Sequence, residues 1–225
     1  MTLGHLLGTL AGDKIAVIEG LAHNPSSDRL KAFCAAAASS GTVALFHAIG
    51  VTPEAGSLEE AFGGNEPERI IDIGPDELQK ARSELSTAEE GDRLDAVVLG
   101  CPHFSFDEFR ELADLVNEQA QKGNSLGPGV RFVVISSQTS HALLQRGDFL
   151  DVLMKFGIEI TLDTCVFHTP MIHPDTKVIM TNSGKCSYYA PGELGVKVAF
   201  GSMAECIESA VRGEVCREET IWKEL

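Results

Sequence analysis

Short runs of β-branched and other apolar residues alternate along the chain with segments of helical character, and this alternation limits the possible folds more than any other feature. The runs are mostly apolar on both sides, which is typical of strands covered on both faces of a sheet. Strands separated by helices form parallel sheets through right-handed βαβ connections. The sequence therefore predicts an α/β fold of Rossmann-like parallel sheets with helices on both faces. The predicted strands are 15–20, 42–50, 69–74, 96–101, 131–137, 158–165, 177–182 and 196–201.

Four helix starts can be placed from capping signals. Proline fits the first turn of a helix, and a serine followed three residues later by glutamate satisfies the N–H groups at a helix start. These signals predict helices that begin at Pro75, at Ser105 with Glu108 and at Ser202 with Glu205, and a helix over 141–157 capped by Ser140.

The chain is expected to form two α/β lobes. A turn rich in glycine, asparagine and proline covers 121–130, and such a turn can separate two sheets. The expected lobes are therefore 1–125 and 126–225, with a single domain and an ordinary loop at this point as the alternative.

The charge balance excludes some classes of partner. With 18 Lys and Arg against 33 Asp and Glu, the formal net charge is −15, and such a surface repels nucleic-acid phosphates and anionic membranes. The N-terminal stretch lacks the basic segment and cleavage site of a signal peptide, and no run approaches the ~18 apolar residues of a membrane span. The sequence thus predicts a cytoplasmic protein without nucleic-acid or membrane partners.

Six cysteines occur in this acidic chain, and reduced thiols are expected, because disulfide frameworks belong to small secreted domains. Most reduced cysteines are small core residues, so position must identify any with a chemical role. The six are Cys34, Cys101, Cys165, Cys186, Cys206 and Cys216.

Cysteine and other polar residues stand at the ends of several predicted strands. Cys101 and His103 end one strand, Cys165 ends another, the string "TNSGK" at 181–185 ends a third, and His47 lies in a fourth. Open parallel sheets bind ligands at the carboxyl ends of their strands. We expect these side chains to gather at one edge of the fold.

The residues alone leave several roles open. Cysteines without paired CxxC spacing suit an iron or iron–sulfur centre assembled from distant parts of the chain. Cys101 could instead be an inert buried thiol, or a nucleophile if His103 is placed to deprotonate it. Lys185 could anchor a carboxylate or phosphate, or be a solvated surface residue. Cys206 lies on the apolar stripe of the last predicted helix, which favours a core role.

Six blocks of sequence, in this order, resemble the large catalytic part of aconitase X, a branch of the aconitase superfamily. The resemblance runs along nearly the whole chain, and it implies an aconitase-like fold and an iron-dependent hydro-lyase. Relatives dehydrate cis-3-hydroxy-L-proline or mevalonate 5-phosphate. The blocks are "GHLLG", "LKAFCAAAASSGTVALFHAIGVTPEA", "VVLGCPHFSFDEFRELADLV", "DTC", "TNSGKCSYYAPGELG" and "VAFGSMAECIESAVRGE".

The resemblance also implies residue roles. It implies cysteine ligands for an iron or iron–sulfur centre, with a mononuclear iron, a 2Fe–2S and a 4Fe–4S centre left open. Site chemistry assigns Lys185 to hold the substrate's carboxylate or phosphate, and His103 to transfer a proton to the leaving group or to support the ligands, and it leaves the catalytic base open. The resemblance would place an aromatic residue where this chain has Cys186. The implied metal ligands are Cys101, Cys165 and Cys206, the catalytic residues His103, Ser183 and Lys185, and the substrate-binding residues His47, Thr52, Glu54 and Asn182.

The family's catalytic part is longer than this chain, which corresponds to its C-terminal half. The resemblance therefore implies three partners: the N-terminal half of the catalytic part, a small swivelling domain or subunit, and a small-molecule substrate. The chain alone is expected to be inactive. Two alternatives remain open, a noncatalytic half that docks on a partner subunit and a thiol hydrolase built on Cys101 and His103.

Overall fold

The computed structural model describes residues 1–21, 25–147 and 149–218. The chain divides into two compact units, Met1–Ala81 and Arg82–Leu225. This division differs from the expected lobes 1–125 and 126–225, because the strands before and after residue 125 pair with each other in one sheet. The turn at 121–130 is an ordinary connection within the second unit.

The first unit contains strands β1 and β2 and helices α1 to α3, and helix α4 runs across the division. The described helices include none that is long and apolar enough to cross a membrane. The elements are β1 Ala16–Ile18, β2 Phe46–Ala48, β3 Ala96–Phe104, β4 Arg131–Ser136, β5 Ile158–Leu162, β6 Val178–Thr181 and β7 Lys197–Phe200, with α1 Thr2–Ala11, α2 Ser27–Ser40, α3 Leu58–Phe62, α4 Pro75–Glu84, α5 Phe106–Gln121, α6 Gln138–Leu144, α7 Phe149–Phe156, α8 Gly184–Leu194 and α9 Met203–Arg212.

Two glycines of the "GHLLG" block allow α1 to lie directly against α2. A Cβ atom on Gly4 would collide with the carbonyl oxygen of Phe33, and one on Gly8 with that of Ala37. The two glycines are four residues apart and therefore lie on one face of α1. The main chains of the two helices therefore approach each other closely at these glycines. The hydroxyl of Ser40 on α2 also donates a 2.7 Å hydrogen bond to the main-chain carbonyl of His5 on α1.

The predicted strand 69–74 is wrong. This segment has no regular secondary structure, and no strand among the described residues pairs with it. Ile70, Ile71 and Ile73 are exposed, Ile70 by 79%. The apolar, β-branched composition satisfies a local preference for extended backbone, but a strand also requires a neighbour to accept its hydrogen bonds.

The second unit is built on a five-stranded parallel sheet with the order β5-β4-β3-β6-β7. One face packs against α5, α7 and α9, through residues such as Leu112, Leu153 and Ile207. The other face packs against α8 and the segment after β5, through Ala190 and Val166. The predicted parallel α/β fold with helices on both faces is confirmed.

The capping signals were mostly read correctly. Pro75 opens α4, and both capping boxes form, at the starts of α5 and α9. The predicted single helix over 141–157 is wrong, because α6 and α7 are separate. The cap of α6 is Ser137 rather than Ser140: its hydroxyl accepts a hydrogen bond from the Ser140 main-chain N–H.

A buried ion pair joins Arg82 to Glu205 within the second unit. Glu205 accepts a 2.6 Å hydrogen bond from Arg82 and further hydrogen bonds from the main-chain N–H groups of Ser202 and Glu218. Burial alone would raise the pKa of Glu205, but these hydrogen bonds and the charge of Arg82 outweigh it and hold the pKa below its ordinary value.

Replacing Glu205 with Gln is expected to lower the free energy of unfolding at neutral pH by about 2 kcal/mol, because a charged hydrogen-bond acceptor is lost. The depressed pKa means that this stabilisation is complete above the unfolded-state pKa of about 4.3 and is lost as the pH falls through the folded-state value. Urea unfolding at several pH values should therefore show a smaller loss of stability on acidification in E205Q than in the parent chain.

Glu208→Gln is the matched control. Glu208 pairs with Arg212 on the same helix, but both side chains are more than one-third exposed, so its loss should cost less than about 0.5 kcal/mol. Equal losses in the two variants would show that the buried pair does not stabilise the unit.

Candidate functional site

The strand order of the larger sheet reverses between β3 and β6. From β3 the chain moves outward to β4 and β5, and it then returns to place β6 on the other side of β3. A crevice forms beyond the carboxyl ends of two such strands, because the connections leave them on opposite sides of the sheet. Cys101 lies near the end of β3, and Ser183 follows β6. The polar edge predicted from the sequence therefore includes the switch point of the sheet.

Gly100 turns the Cys101 side chain to the face of α8. Val97 and Leu99 face α5 and α9, while Val98 faces α8, and strict alternation would place Cys101 with Leu99. The register of β3 against β4 shifts after Leu99, where Gly100 has φ +90°. Cys101 consequently belongs to the core layer on the α8 side.

Ser183 joins the ends of β3 and β6. As the N-cap of α8, its hydroxyl accepts a 3.0 Å hydrogen bond from the main-chain N–H of Cys186. The same hydroxyl donates to the carbonyl oxygen of Cys101 and also lies against the Cys101 sulfur. Because a hydroxyl has one proton, only one of these two acceptors receives it at a time.

Two buried thiols, Cys101 and Cys186, lie beside this serine. The hydrogen bond from Cys186 lowers the pKa of Cys101 to about 7 despite burial, and the positive charge of Lys185 and the Ser183 hydroxyl act in the same direction. The same hydrogen bond, together with burial, raises the pKa of Cys186 well above its ordinary value. The pair therefore favours a thiolate at Cys101 and a retained proton on Cys186.

His103 connects the end of β3 to the segment after β5. Its Nε2 atom lies 2.8 Å from the carbonyl oxygen of Thr164, and because a carbonyl only accepts, Nε2 is the protonated nitrogen in this contact. Thr164 immediately precedes Cys165, in the segment that follows β5. Cys165 is thus brought towards the same cluster from the far side of β4.

Lys185 and Asn182 lie beside this cluster, at the start of α8 and the end of β6, and both are half-buried. The first turn of a helix presents unsatisfied N–H groups and a partial positive charge. With the Lys185 ammonium added, this end of α8 can attract a carboxylate or phosphate.

Cys206 does not join the cluster. It is fully buried on α9, in the core layer that contains Val97 and Leu99, whereas Cys101 and Cys186 lie in the layer on the opposite face of the sheet. Burial raises the pKa of Cys206 well above its ordinary value, and the charge of Glu205 adds to this. The structure thus places Cys206 in the core, where the apolar stripe of its helix had suggested.

Replacing Cys206 with Ala is expected to lower the free energy of unfolding by about 1 kcal/mol, because a buried sulfur is removed and a small cavity remains. The reactivity of Cys101 towards iodoacetamide should not change. Cys216→Ala, at a half-buried position near the end of the described chain, is the control for stability. An unchanged unfolding midpoint together with altered Cys101 reactivity would contradict the core role.

The other expected substrate-binding residues lie in the first unit. His47 is in β2, and its Nδ1 atom is buried without a hydrogen-bond partner among the described residues. The hydroxyl of Thr52 accepts a 3.0 Å hydrogen bond from the main-chain N–H of Ala48, so it stabilises its own turn. Glu54 is exposed. These three positions stay predictions for substrate contact.

Within the described ranges, no three His, Cys, Asp or Glu side chains are grouped so as to hold a metal ion. Cys101 and Cys165 are thiols brought towards one edge, but Cys206 lies on the other side of the sheet. These residues by themselves do not form a complete iron site.

Cys186 is the site residue that sequence reasoning did not assign. The available signal was its position three residues after the N-cap Ser183 on a buried helix face, which directs it towards the neighbouring strand. Thr181 also contributes, since its side chain contacts the Cys186 thiol and its Oγ1 accepts a 3.2 Å hydrogen bond from the main-chain N–H of Ser183.

A parallel α/β unit with polar side chains at its switch point is typical of proteins that bind small molecules there. The chain belongs to the aconitase X family. The model of the aconitase X second domain matches residues 1–83, and that of the third domain matches residues 94–212.

Characterised relatives from bacteria, fungi and archaea are similar to nearly the whole chain. A cis-3-hydroxy-L-proline dehydratase of Pseudomonas aeruginosa is 42% identical over 94% of this chain and 36% of its own length. The enzyme of the same name from Hypocrea jecorina is 37% identical, over 94% of this chain and 35% of its own length. A phosphomevalonate dehydratase large subunit of Methanosarcina mazei is 32% identical, over 94% of this chain and 48% of its own length. The chain therefore spans between about one-third and one-half of these relatives.

Among solved structures, the holo form of aconitase X from Thermococcus kodakaraensis has the same fold, with a TM-score of 0.78 and 25% identity. The match covers 93% of this chain and 50% of that one.

Proposed function

We propose that this chain is part of an aconitase X-type dehydratase, a hydro-lyase that removes water from a small hydroxy acid. The supporting observation is the gathering of Cys101, Ser183 and Lys185 at the switch point of the sheet, in a chain whose relatives are dehydratases. The chain spans only part of those relatives, so we propose that the rest of the enzyme completes the site.

The proposed substrate is cis-3-hydroxy-L-proline. Similarity to the dehydratases named for it is higher, at 42% and 37%, than the 32% identity to a phosphomevalonate dehydratase subunit. Both molecules carry an anionic group, and in either case Lys185 would bind the carboxylate or phosphate. A half-buried ammonium group at a helix start suits this role, because the helix N-terminus adds to its positive potential.

Dehydration removes a proton from carbon and transfers a proton to the departing hydroxyl. We assign Ser183 to fixing the relative position of the Cys101 main chain and the first turn of α8. His103 is assigned to holding the Thr164–Cys165 segment beside the cluster through its hydrogen bond, and its exposed ring lies at the edge where it can transfer a proton to a leaving hydroxyl.

The proposed cofactor is iron or an iron–sulfur cluster, with Cys101 and Cys165 as the ligands from this chain. Since no three donors are grouped within the described ranges, we propose that further ligands come from outside them. The roles assigned above to Lys185, Ser183 and His103 do not depend on the type of centre.

The proposed partners are the remaining parts of the dehydratase, including a small domain or subunit. One of the relatives is named as a large subunit, which supports an enzyme of more than one chain. The exposed isoleucines at 70, 71 and 73 suit a surface of this chain on which such a partner docks.

The thiol hydrolase alternative receives less support. The Cys101 side chain lies in the same core layer as Cys186, while Nε2 of His103 is directed at the carbonyl oxygen of Thr164. A nucleophilic cysteine requires the imidazole to take its proton, and these contacts give each group a different partner.

A segment-exchange enzyme tests the proposal. This chain replaces the matching 215-residue segment of the Pseudomonas aeruginosa dehydratase, and the purified product is assayed anaerobically, with iron supplied, on cis-3-hydroxy-L-proline and on phosphomevalonate. We expect dehydration of the first substrate. The unmodified Pseudomonas enzyme is the positive control.

Circular dichroism and size-exclusion chromatography establish that the exchanged enzyme is folded. A folded, iron-loaded enzyme that dehydrates neither substrate would contradict the proposed function. Activity on phosphomevalonate alone would overturn the proposed substrate.

A further inference from the structure

Cys186 has no role in the proposed dehydration. It is fully buried, and it stands where the family resemblance would place an aromatic residue. A second thiol in this position, directly beside Cys101, gives this chain a chemical capacity that the dehydration reaction does not require.

The two cysteines are held together by both main chain and side chain. The Ser183 hydroxyl bonds to the Cys101 carbonyl and to the Cys186 main-chain N–H, so a single oxygen atom spans the two backbones. Both side chains are buried, and both belong to the core layer on the α8 side of the sheet. The two cysteines are therefore neighbours in the fold, although they lie 85 positions apart in the sequence.

We propose that Cys101 and Cys186 are a redox modification site, at which a small-molecule disulfide oxidises the two thiols to an intramolecular disulfide. Closing the bond requires the two sulfurs to approach to about 2.05 Å. Ser183 already limits the separation of the two backbones, so the movement is mainly in the side chains.

The reaction is a balanced thiol–disulfide exchange. The Cys101 thiolate attacks one sulfur of the oxidant, forming a mixed disulfide and releasing one thiolate. Cys186 then loses its proton to solvent and attacks the Cys101 sulfur, which forms the internal bond and releases the second thiol. The protein loses two electrons, and the oxidant gains them.

The internal disulfide would take the Cys101 sulfur out of the site. Cys101 would no longer be available as a thiolate beside Lys185 or as a metal ligand. Oxidation would therefore switch off whatever chemistry depends on this sulfur, and a dithiol would restore it.

Other pairings are less favoured by the structure. Cys206 lies in the core layer on the opposite face of the sheet, and Cys34 is exposed in the other unit. Cys165 is the one competitor at the same edge, but it belongs to the segment that His103 holds through Thr164.

The test uses the full chain, reduced, freed of metal with EDTA, and equilibrated anaerobically with oxidised and reduced glutathione. Free thiols are then trapped by alkylation under denaturing conditions, and peptides are mapped by mass spectrometry. We expect a peptide pair linking Cys101 to Cys186, with any further loss among the six thiols found as glutathione adducts at accessible cysteines such as Cys34. Reduction with dithiothreitol should restore all six.

Variants separate the pair from its competitor. Cys165→Ala should retain the linked peptide, whereas Cys186→Ala should lose it and leave a mixed glutathione disulfide at Cys101. A Cys101–Cys165 link, or two reduced thiols at 101 and 186 after oxidation of the exposed Cys34, would overturn the proposal. The peptide map of the parent chain decides the question even if a variant fails to fold.

Discussion

Replacing Lys185 with Met in the segment-exchange enzyme is expected to lower kcat/KM for cis-3-hydroxy-L-proline by about 100-fold. Methionine keeps the length and much of the packing of the side chain but removes its charge. A charge-assisted contact with a carboxylate contributes about 2–3 kcal/mol, and about 1.4 kcal/mol corresponds to a factor of ten. Because Lys185 is assigned to binding, KM should rise more than kcat falls.

Two variants control this result. Lys155→Met removes an exposed lysine from α7 and should leave kcat/KM within a factor of about two. Lys185→Arg keeps the charge and should recover part of the activity, though not all, because a planar guanidinium does not reproduce the geometry of an ammonium group. Steady-state assays at constant ionic strength provide the comparison. Equal activity in K185M and K155M would remove Lys185 from the site.

Replacing Gly100 with Ala is expected to lower the free energy of unfolding of this chain by about 3 kcal/mol or more. A Cβ atom at this position would collide with the carbonyl oxygen of Ile135 on β4. The backbone angle φ of +90° is also unfavourable for any residue with a Cβ. Either β4 moves away or the end of β3 takes another conformation, and both changes displace Cys101.

Gly123→Ala isolates the steric part of this effect. Gly123 has a similar φ of +79° but no atom within 4 Å of the position of a Cβ, so its substitution should cost only about 1 kcal/mol. Urea unfolding monitored by circular dichroism gives both values. Similar losses in the two variants would show that the approach of β4 to Gly100 does not constrain the end of β3.

The parallel sheet, the capping boxes and the polar edge were predictable because each depends on local pattern. Apolar runs on both faces identify buried parallel strands, and such strands place their carboxyl ends at one edge. Cys101, Ser183 and Lys185 could therefore be assigned to one place from sequence alone. The resemblance to aconitase X identified the family through the strings around these same residues.

The remaining features depend on contacts between distant residues. The backbone at Gly100 is irregular where β3 pairs with β4, and this irregularity decides to which face of the sheet the Cys101 side chain points. Strand alternation alone predicts the opposite face. The partnership of Cys101 with Cys186 follows from β6 returning beside β3. The segment 69–74 has the composition of a strand but no paired neighbour among the described residues, and pairing is not a local property.

The central claim is that one anion-binding site lies between the ends of β3 and β6. An amide NMR titration of the isotopically labelled chain with cis-3-hydroxy-L-proline tests it most directly, with K185M measured in parallel. The account predicts chemical-shift changes concentrated at residues 101–104 and 183–187 and strongly reduced in K185M. Changes concentrated elsewhere, or equal in both proteins, would contradict it.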